Sequence, residues 1–464
     1  MTKFKGILVA TVMAVVALSA AARENAKLPN LFNQVDQVAM NQWVDSVFNS
    51  LSPQARIGQL IVAGVTPKSD DATREAVKRL VTQNLVGGLI YENSTVAEQA
   101  EVTNLAQSLA TVPLMITIDG EWGLGMRLKE IPNFPRNLIL GAMDDDMLLY
   151  EYGREVARQC RRMGIQVNFA PVLDVNDNPL NPVIGNRSFG ESPELVARHA
   201  IAFARGLEDG GVMAVGKHFP GHGNSSEDSH KTLPVINKSL QEINTCELVP
   251  FRKFIDAGLS GILTAHLLVP AIDKASEPTS LSKKCVGTLL RDEMGFDGLV
   301  FTDALNMKGA TQLLKGSACV NALLAGNDVL LMPENIGDEI AAVLRAIEGG
   351  TLSQSVIDER CKKMLRYKYA LNLTSRQHVN TTNLVKDINS PRAEVLKRQL
   401  TAGSITVIKN NDDILPIRNL QSRHIAVATI GNEKGTASTF TRRCADYAQV
   451  KRFDLAKAGS ASEL

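Results

Sequence analysis

The 464-residue chain carries 50 basic and 49 acidic residues, for a formal net charge of +1, with 44% apolar and 21% charged residues. This balance excludes a largely disordered chain and leaves no net electrostatic footprint for nucleic acid. The length fits two or three domains, or one large barrel with a smaller partner. Cys160, Cys246, Cys285, Cys319, Cys361 and Cys444 are scattered and none forms a C-x-x-C pair. A disulfide-built scaffold and a structural zinc site of the usual spacing are thereby excluded; the cysteines read as buried thiols, with pairing left open.

The chain starts with Lys3 and Lys5, followed by an uncharged apolar run over residues 6–18 and a Ser19-Ala20-Ala21-Ala22 stretch. This is the three-part pattern of a secretory signal peptide over 1–22, and it implies a secreted or periplasmic protein. The bland alternative is an uncleaved anchor, but the run is short for a membrane span. No cysteine near the cleavage point could take a lipid. Cleavage would leave 48 basic against 49 acidic residues, a net charge of −1. No later segment is long and apolar enough to span a membrane, so no stable span is expected after cleavage.

From residue 50 to 335 short apolar runs alternate with longer amphipathic stretches. The runs 57–65, 86–91, 113–119, 166–175, 212–219, 261–269, 298–304 and 328–332 predict strands. Several are solidly apolar, as expected when both faces of a parallel strand are buried. Helices are predicted over 146–163, 193–209 and 240–257. Eight such units fit a (β/α)8 barrel, and the rival is a doubly wound open sheet. Asp119, Asp174, Lys217, His218, His266 and Asp303 all fall at or near carboxyl ends of predicted strands. A barrel gathers those ends around one mouth, which favours it. A closing helix follows over 355–370. The barrel domain is set at 23–372 and a polar, strand-free linker at 373–390. A further domain over 391–464 opens with a helix over 393–402 and strands over 404–409 and 424–430. It is too short to bury a complete core.

The densest chemistry lies in residues 217–230, Lys-His-Phe-Pro-Gly-His-Gly-Asn-Ser-Ser-Glu-Asp-Ser-His, which follows an apolar strand. Pro220, Gly221 and Gly223 allow tight turns and a flexible segment. Asp228 and His230 are two apart, so in an extended loop their side chains point the same way. A carboxylate beside an imidazole fixes its tautomer and raises its basicity, and histidine can give and then take a proton near neutral pH. The bland reading is a solvated loop. A second alternative is a metal site built from His218, His222, Asp228 and His230, but their spacing matches no standard ligand motif and no metal is assigned. Asp303 closes an apolar strand, where it is a nucleophile, a base, a metal ligand or merely a cap for the next helix.

These motifs resemble glycoside hydrolase family 3, in its β-N-acetylglucosaminidase branch. The similarity lies in Lys217-His-Phe-Pro-Gly-His-Gly with Asp228-Ser-His-Lys-Thr-Leu-Pro, in 301–307, in Asn168-Phe-Ala-Pro-Val-Leu-Asp174 and in 181–190. Residues 402–416 resemble the start of that family's second, αβα sandwich domain, cut short here. The resemblance implies a retaining glycosidase without a cofactor, acting on a GlcNAc-containing glycan. Asp303 would be the nucleophile, and His230, oriented by Asp228, would replace the usual second carboxylic acid. It also implies sugar binding by Asp119, Arg127, Arg187, Lys217, His218 and Asp174.

The sequence departs from the family at 120–126, which alters the wall beside Arg127, and at Asn224, where relatives often have Asp. The leading expectation is an exo-acting β-N-acetylglucosaminidase on peptidoglycan- or chitin-derived fragments. The alternatives are a phosphorylase on the same linkage, a β-glucosidase or xylosidase of the broader family, and a non-catalytic cell-wall-binding barrel.

Overall fold

In the computed structural model, residues 29–229, 231–274, 277–430 and 437–455 are described. The expected signal peptide over 1–22 lies outside them. Two units are distinguished, divided after Ile405.

The first unit opens with helices α1 (Gln37–Ser50) and α2 (Pro53–Gly58). An eightfold alternation follows: β1 (Ile61–Val65), α3 (Asp71–Thr82), β2 (Gly88–Tyr91), α4 (Val96–Leu109), β3 (Met115–Ile118), α5 (Asp146–Arg162), β4 (Val167–Asn168) and α6 (Pro193–Asp209). It continues with β5 (Met213–Phe219), α7 (Leu248–Asp256), β6 (Gly261–Thr264), a π-helical segment (Lys284–Glu293), β7 (Leu299–Thr302), α8 (Ala318–Ala325), β8 (Leu330–Leu331) and α9 (Ile336–Glu348). Each neighbouring pair of strands is parallel, in the order β7-β6-β5-β4-β3-β2-β1-β8. The ring closes between β7 and β8 through a parallel bridge at Phe301 and Val329, with Thr302 N–H donating to the Val329 carbonyl at 3.0 Å. This is the expected (β/α)8 barrel, and the open-sheet rival falls.

The strands form because nearly every residue in them is apolar and buried on both faces, while the helices start at side-chain caps. Thr95 and Glu98 make a reciprocal capping box on α4, and Ser192 with Pro193 starts α6. The predicted stretch 240–257 divides into Leu240–Thr245 and α7, with a break at Cys246. All six cysteines are free thiols, and four of them are buried.

α10 (Gln354–Ala370) packs on α1 and closes the ring. The chain after it is not a plain linker: it contains a short helix, Leu384–Ile388, and leads into α11 (Pro391–Gly403). α11 was expected to open the second domain. Instead it groups with the barrel, where its buried Ala393, Leu396 and Leu400 form part of the main apolar core. Residues 404–409, expected as a strand, form none.

The second unit contains β9 (Ile425–Ile430), α12 (Thr439–Ala445) and β10 (Val450–Leu455), with β9 and β10 paired in parallel. Among its described residues only Val427 and Thr441 are buried, while Ile408, Ile414, Ile430 and Phe440 are exposed. Among the described residues of the whole chain, no helix is long and apolar enough to cross a membrane.

Candidate active site

The mouth is built from what happens when each strand ends. β5 carries a bulge: Lys217 and Phe219 pair with the consecutive residues Leu263 and Thr264, leaving His218 extra. In a regular strand Lys217 and His218 would face opposite ways, and the bulge re-aims them so that both reach the same network. Lys217 Nζ lies 2.7 Å from Asp119 Oδ1 and 2.8 Å from Glu121 Oε1. Asp119 Oδ2 accepts from Arg127 Nη2 at 2.8 Å. Glu121 takes a two-pronged bond from Arg187, Nε at 2.9 Å and Nη2 at 2.7 Å.

His218 joins the ring through both nitrogens. Its Nε2 lies 3.2 Å from Arg187 Nη2, and its Nδ1 lies 2.6 Å from Asp174 Oδ2. A guanidinium can only donate, so Nε2 accepts and the proton sits on Nδ1, facing Asp174. Asp174 is fully buried, and its Oδ1 accepts the His222 N–H at 2.7 Å. With both ring nitrogens engaged, His218 drops out of the alternative metal set.

These ion pairs decide the charge states. Burial pushes the Asp119 and Asp174 carboxyls up, but Lys217 and Arg127 beside the first, and His218 and His222 beside the second, outweigh it and hold both below their ordinary value. Glu121 is buried too, and Arg187 and Lys217 drive it far below the usual carboxylate range. Lys217 loses by burial and gains more from Asp119 and Glu121, so it stays charged.

Asp303 follows β7 and stays partly open to solvent. Its Oδ1 accepts from the Ala304 N–H at 2.8 Å, and among the described residues Oδ2 has no hydrogen bond. Burial pushes this carboxyl up, but His266, His218, the Ala304 N–H and Lys217 together bring it below its ordinary value. A carboxylate with one anchored and one unengaged oxygen is suited to nucleophilic attack. The helix-cap reading does not hold: the next helix begins at Lys308 and its cap position is Met307. His266 steadies this turn, with Nε2 donating to the Ala304 carbonyl at 3.0 Å and Nδ1 lying 2.6 Å from Ser280 Oγ.

The loop after β5 is less free at its start than its glycines suggest. A Cβ on Gly223 would lie 1.7 Å from the Val175 carbonyl oxygen, so glycine there permits a close approach to the β4 loop. Asp228 is partly exposed, with Lys231 Nζ at 3.8 Å. His230 lies outside the described residues, so the geometry of the expected Asp228–His230 pair is not described. His222, by contrast, is buried, and burial pushes its imidazole down to about 4.

Asp119, Arg127, Arg187, Lys217, His218 and Asp174 therefore form one connected network, and Asp303 stands within its electrostatic reach. Sequence reasoning missed Glu121, which ties Arg187 to Lys217. Its signal was an acid two residues beyond Asp119, in a glycine-rich loop. It also missed Asn168, whose buried amide holds the Gly120 N–H at 2.8 Å and so fixes the loop carrying Glu121.

Ionised carboxylates interleaved with cations, at the carboxyl ends of barrel strands, suit cleavage of an acetal linkage, which is the work of a glycoside hydrolase. The family described as the glycosyl hydrolase family 3 N terminal domain matches residues 53–367, and the chain belongs to that family. Among curated relatives, beta-hexosaminidase A of Pseudoalteromonas piscicida is 31% identical over 384 residues, covering 75% of this chain and 64% of its own length. Beta-hexosaminidase LpqI of Mycobacterium tuberculosis is 34% identical over 333 residues, covering 68% of this chain and 83% of its own. The solved family 3 β-N-acetylglucosaminidase of Paenibacillus sp. str. FPU-7 aligns with a TM-score of 0.76 at 31% identity, over 89% of this chain and 81% of its own.

Proposed function

We propose that this chain is a retaining, exo-acting β-N-acetylglucosaminidase that removes terminal β-linked GlcNAc from peptidoglycan- or chitin-derived fragments after export. The observation that carries the reading is Asp303: a strand-end carboxylate held below its ordinary value by nearby His266, His218 and Lys217, with one oxygen unengaged among the described residues. The names of the hexosaminidase relatives and of the Paenibacillus enzyme support the GlcNAc linkage. The amino-terminal sequence pattern supports export.

Asp303 Oδ2 attacks the anomeric carbon while the glycosidic C–O bond breaks. The leaving oxygen takes a proton from the protonated imidazole of His230, whose basicity Asp228 raises. In the second step neutral His230 takes a proton from water, the hydroxide adds to the anomeric carbon, and the Asp303 carboxylate departs. The charge-paired groups grip the sugar: Asp119 accepts from hydroxyls, and Arg127, Arg187 and Lys217 donate to hydroxyls or an acetamide carbonyl.

The test is a panel of aryl β-glycosides (N-acetylglucosaminide, glucoside, xyloside), each with and without inorganic phosphate. The expected result is cleavage of the N-acetylglucosaminide to free GlcNAc, unaffected by phosphate. Release of GlcNAc 1-phosphate would make the protein a phosphorylase, and preference for the glucoside would overturn the GlcNAc assignment.

A further inference from the structure

Asn181 sits in the β4 loop and is buried, and both ends of its carboxamide are fully committed. Its Oδ1 accepts from the Val183 N–H at 2.8 Å and the Ile184 N–H at 2.9 Å. This turn leads into the 3-10 turn Gly185–Arg187, which ends on the arginine that holds Glu121 and touches His218. Its Nδ2 donates in the opposite direction, to the carbonyls of His222 and Gly223, both at 2.8 Å. One side chain thus joins the turn that aims Arg187 to the first half of the β5 loop.

The link continues past the backbone. His222 Nε2 lies 3.0 Å from Ser229 Oγ, and Ser229 is the residue between Asp228 and His230. The Ser229 carbonyl in turn accepts the Gly309 N–H at 3.2 Å, from the short helix Lys308–Thr311 that follows Asp303. Asn178 reinforces the same end of the loop, with Nδ2 donating to the Asn224 carbonyl at 3.1 Å and the Ser225 carbonyl at 3.3 Å. A displacement of the His222 backbone therefore reaches Ser229 through one imidazole and one hydrogen bond.

We infer that Asn181 is a positioning residue that sets the reach of the Asp228-bearing segment over the glycosidic oxygen, acting through His222 and Ser229. The inference rests on the proposed proton-donor role of that segment. Its consequence is specific: weakening the nitrogen side of Asn181 impairs proton donation to the leaving group while sugar binding through the Arg187 turn survives.

The test uses Asn181→Asp, which keeps the acceptor toward Val183 and Ile184 but turns a second oxygen toward two carbonyls. Asn178→Ala serves as a milder variant: it removes the donations to the β5 loop and a local bond to the Leu180 N–H, leaves the bonds of Asn181 in place, and is not expected to endanger folding. His230→Ala is run alongside. Each is assayed on the full chain with a phenyl and a 2,4-dinitrophenyl β-N-acetylglucosaminide, and free GlcNAc is measured as a competitive inhibitor. For Asn181→Asp, kcat/KM on the phenyl substrate is expected to fall about 10-fold to 100-fold, against less than about 3-fold on the activated one, because kcat/KM reports the glycosylation step, where a general acid matters most to a poor leaving group. Inhibition by GlcNAc should stay within about 2-fold of wild type, since the hydroxyl-binding side is intact. Asn178→Ala should show the same signature at smaller size. If His230→Ala discriminates between the substrates and neither asparagine variant does, the inference is wrong and the proton-donor reading stands. If His230→Ala does not discriminate, both fall. Equal loss on both substrates with weakened GlcNAc inhibition would make Asn181 a merely structural residue.

Discussion

At the amino-terminal end of the strands, Asp328 is buried beside Arg291 and Lys363, and its carboxylate also accepts the Val300 N–H at 2.9 Å. Arg291 donates to the carbonyls of Phe296 and Gly298, and Lys363 donates to Gly298. At the opposite end, Asp119 and Glu121 are paired through side chains: Arg127, Arg187 and Lys217. The lower charges are consumed in closing off backbone groups that the strand ends leave unpaired. The upper ones hold one another in place through side-chain pairs. The same residue types thus form ion pairs at both ends, and what separates them is that the lower pairs also bind several main-chain groups of the strand ends, while the upper ones bond mostly to one another.

The largest expected effect belongs to the mouth. Asp303→Ala should lower turnover of an aryl N-acetylglucosaminide by at least about 10⁴-fold with little change in melting temperature, because it loses the covalent step and only one local hydrogen bond. Azide should restore turnover and give the α-glycosyl azide. Activity near normal would remove Asp303 from the chemistry. Glu121→Gln tests the mutual support of the upper charges. With Arg187 and Lys217 losing their shared anion, kcat/KM should fall about 100-fold, corresponding to roughly 3 kcal/mol of lost stabilisation.

Asp328→Asn should do the reverse. It strips compensation from Arg291 and Lys363, and denaturant titration should show a loss of about 3–5 kcal/mol, while KM at a temperature where the variant is folded stays at the wild-type value. A variant that is stable but inactive would break the division between the two ends.

The smallest effect concerns Glu208, also at the lower end. Its Oε1 accepts the Ser260 N–H at 2.9 Å, and burial pushes its carboxyl up to about 8 from an ordinary 4.5. The folded state then holds a proton that the unfolded state has lost between those values, so stability falls as pH rises from about 4.5 to about 8. Glu208→Gln should flatten that fall, and melting curves at pH 6 and 8.5 are the check. A variant that keeps the wild-type slope would assign the fall to another group.

The barrel was legible because eight apolar runs recur with helices between them, and burial on both faces writes itself into composition. Strand ends were harder to read. The run 166–175 suggested one long strand, yet the continuous ladder of β4 covers only Val167–Asn168, and pairing with β5 resumes beyond it at a single bridge, Val172 with Lys217. Pro171 lacks an N–H, and the chain turns to bring Asp174 under His218. The convergence of Asp119, Asp174, Lys217, His218 and Asp303 was readable from strand-end position and family motifs. Glu121 was not, because nothing in a single sequence marks a loop carboxylate as buried. Helix α11 was correctly read as a helix and assigned to the wrong side of the domain boundary. Its apolar face, with Leu396 and Leu400, announces that it packs, but not on what.

The seam that closes the ring bears on how the molecule breathes. β8 is only two residues long, and β7 and β8 share one parallel bridge, with the N–H groups of Thr302, Leu305, Asp328 and Val329 donating across it, while β6 and β7 pair over four consecutive residues. Asp303 follows directly from the strand on that thin seam. Amide protons of Thr302 and Leu305, which donate to Val329 and Leu331 across it, are where solvent deuterium should enter the ring first. A bound sugar bridging Asp303 and the groups across the mouth would act as a clasp on this short join, so that protection of those two amides becomes a direct meter of occupancy.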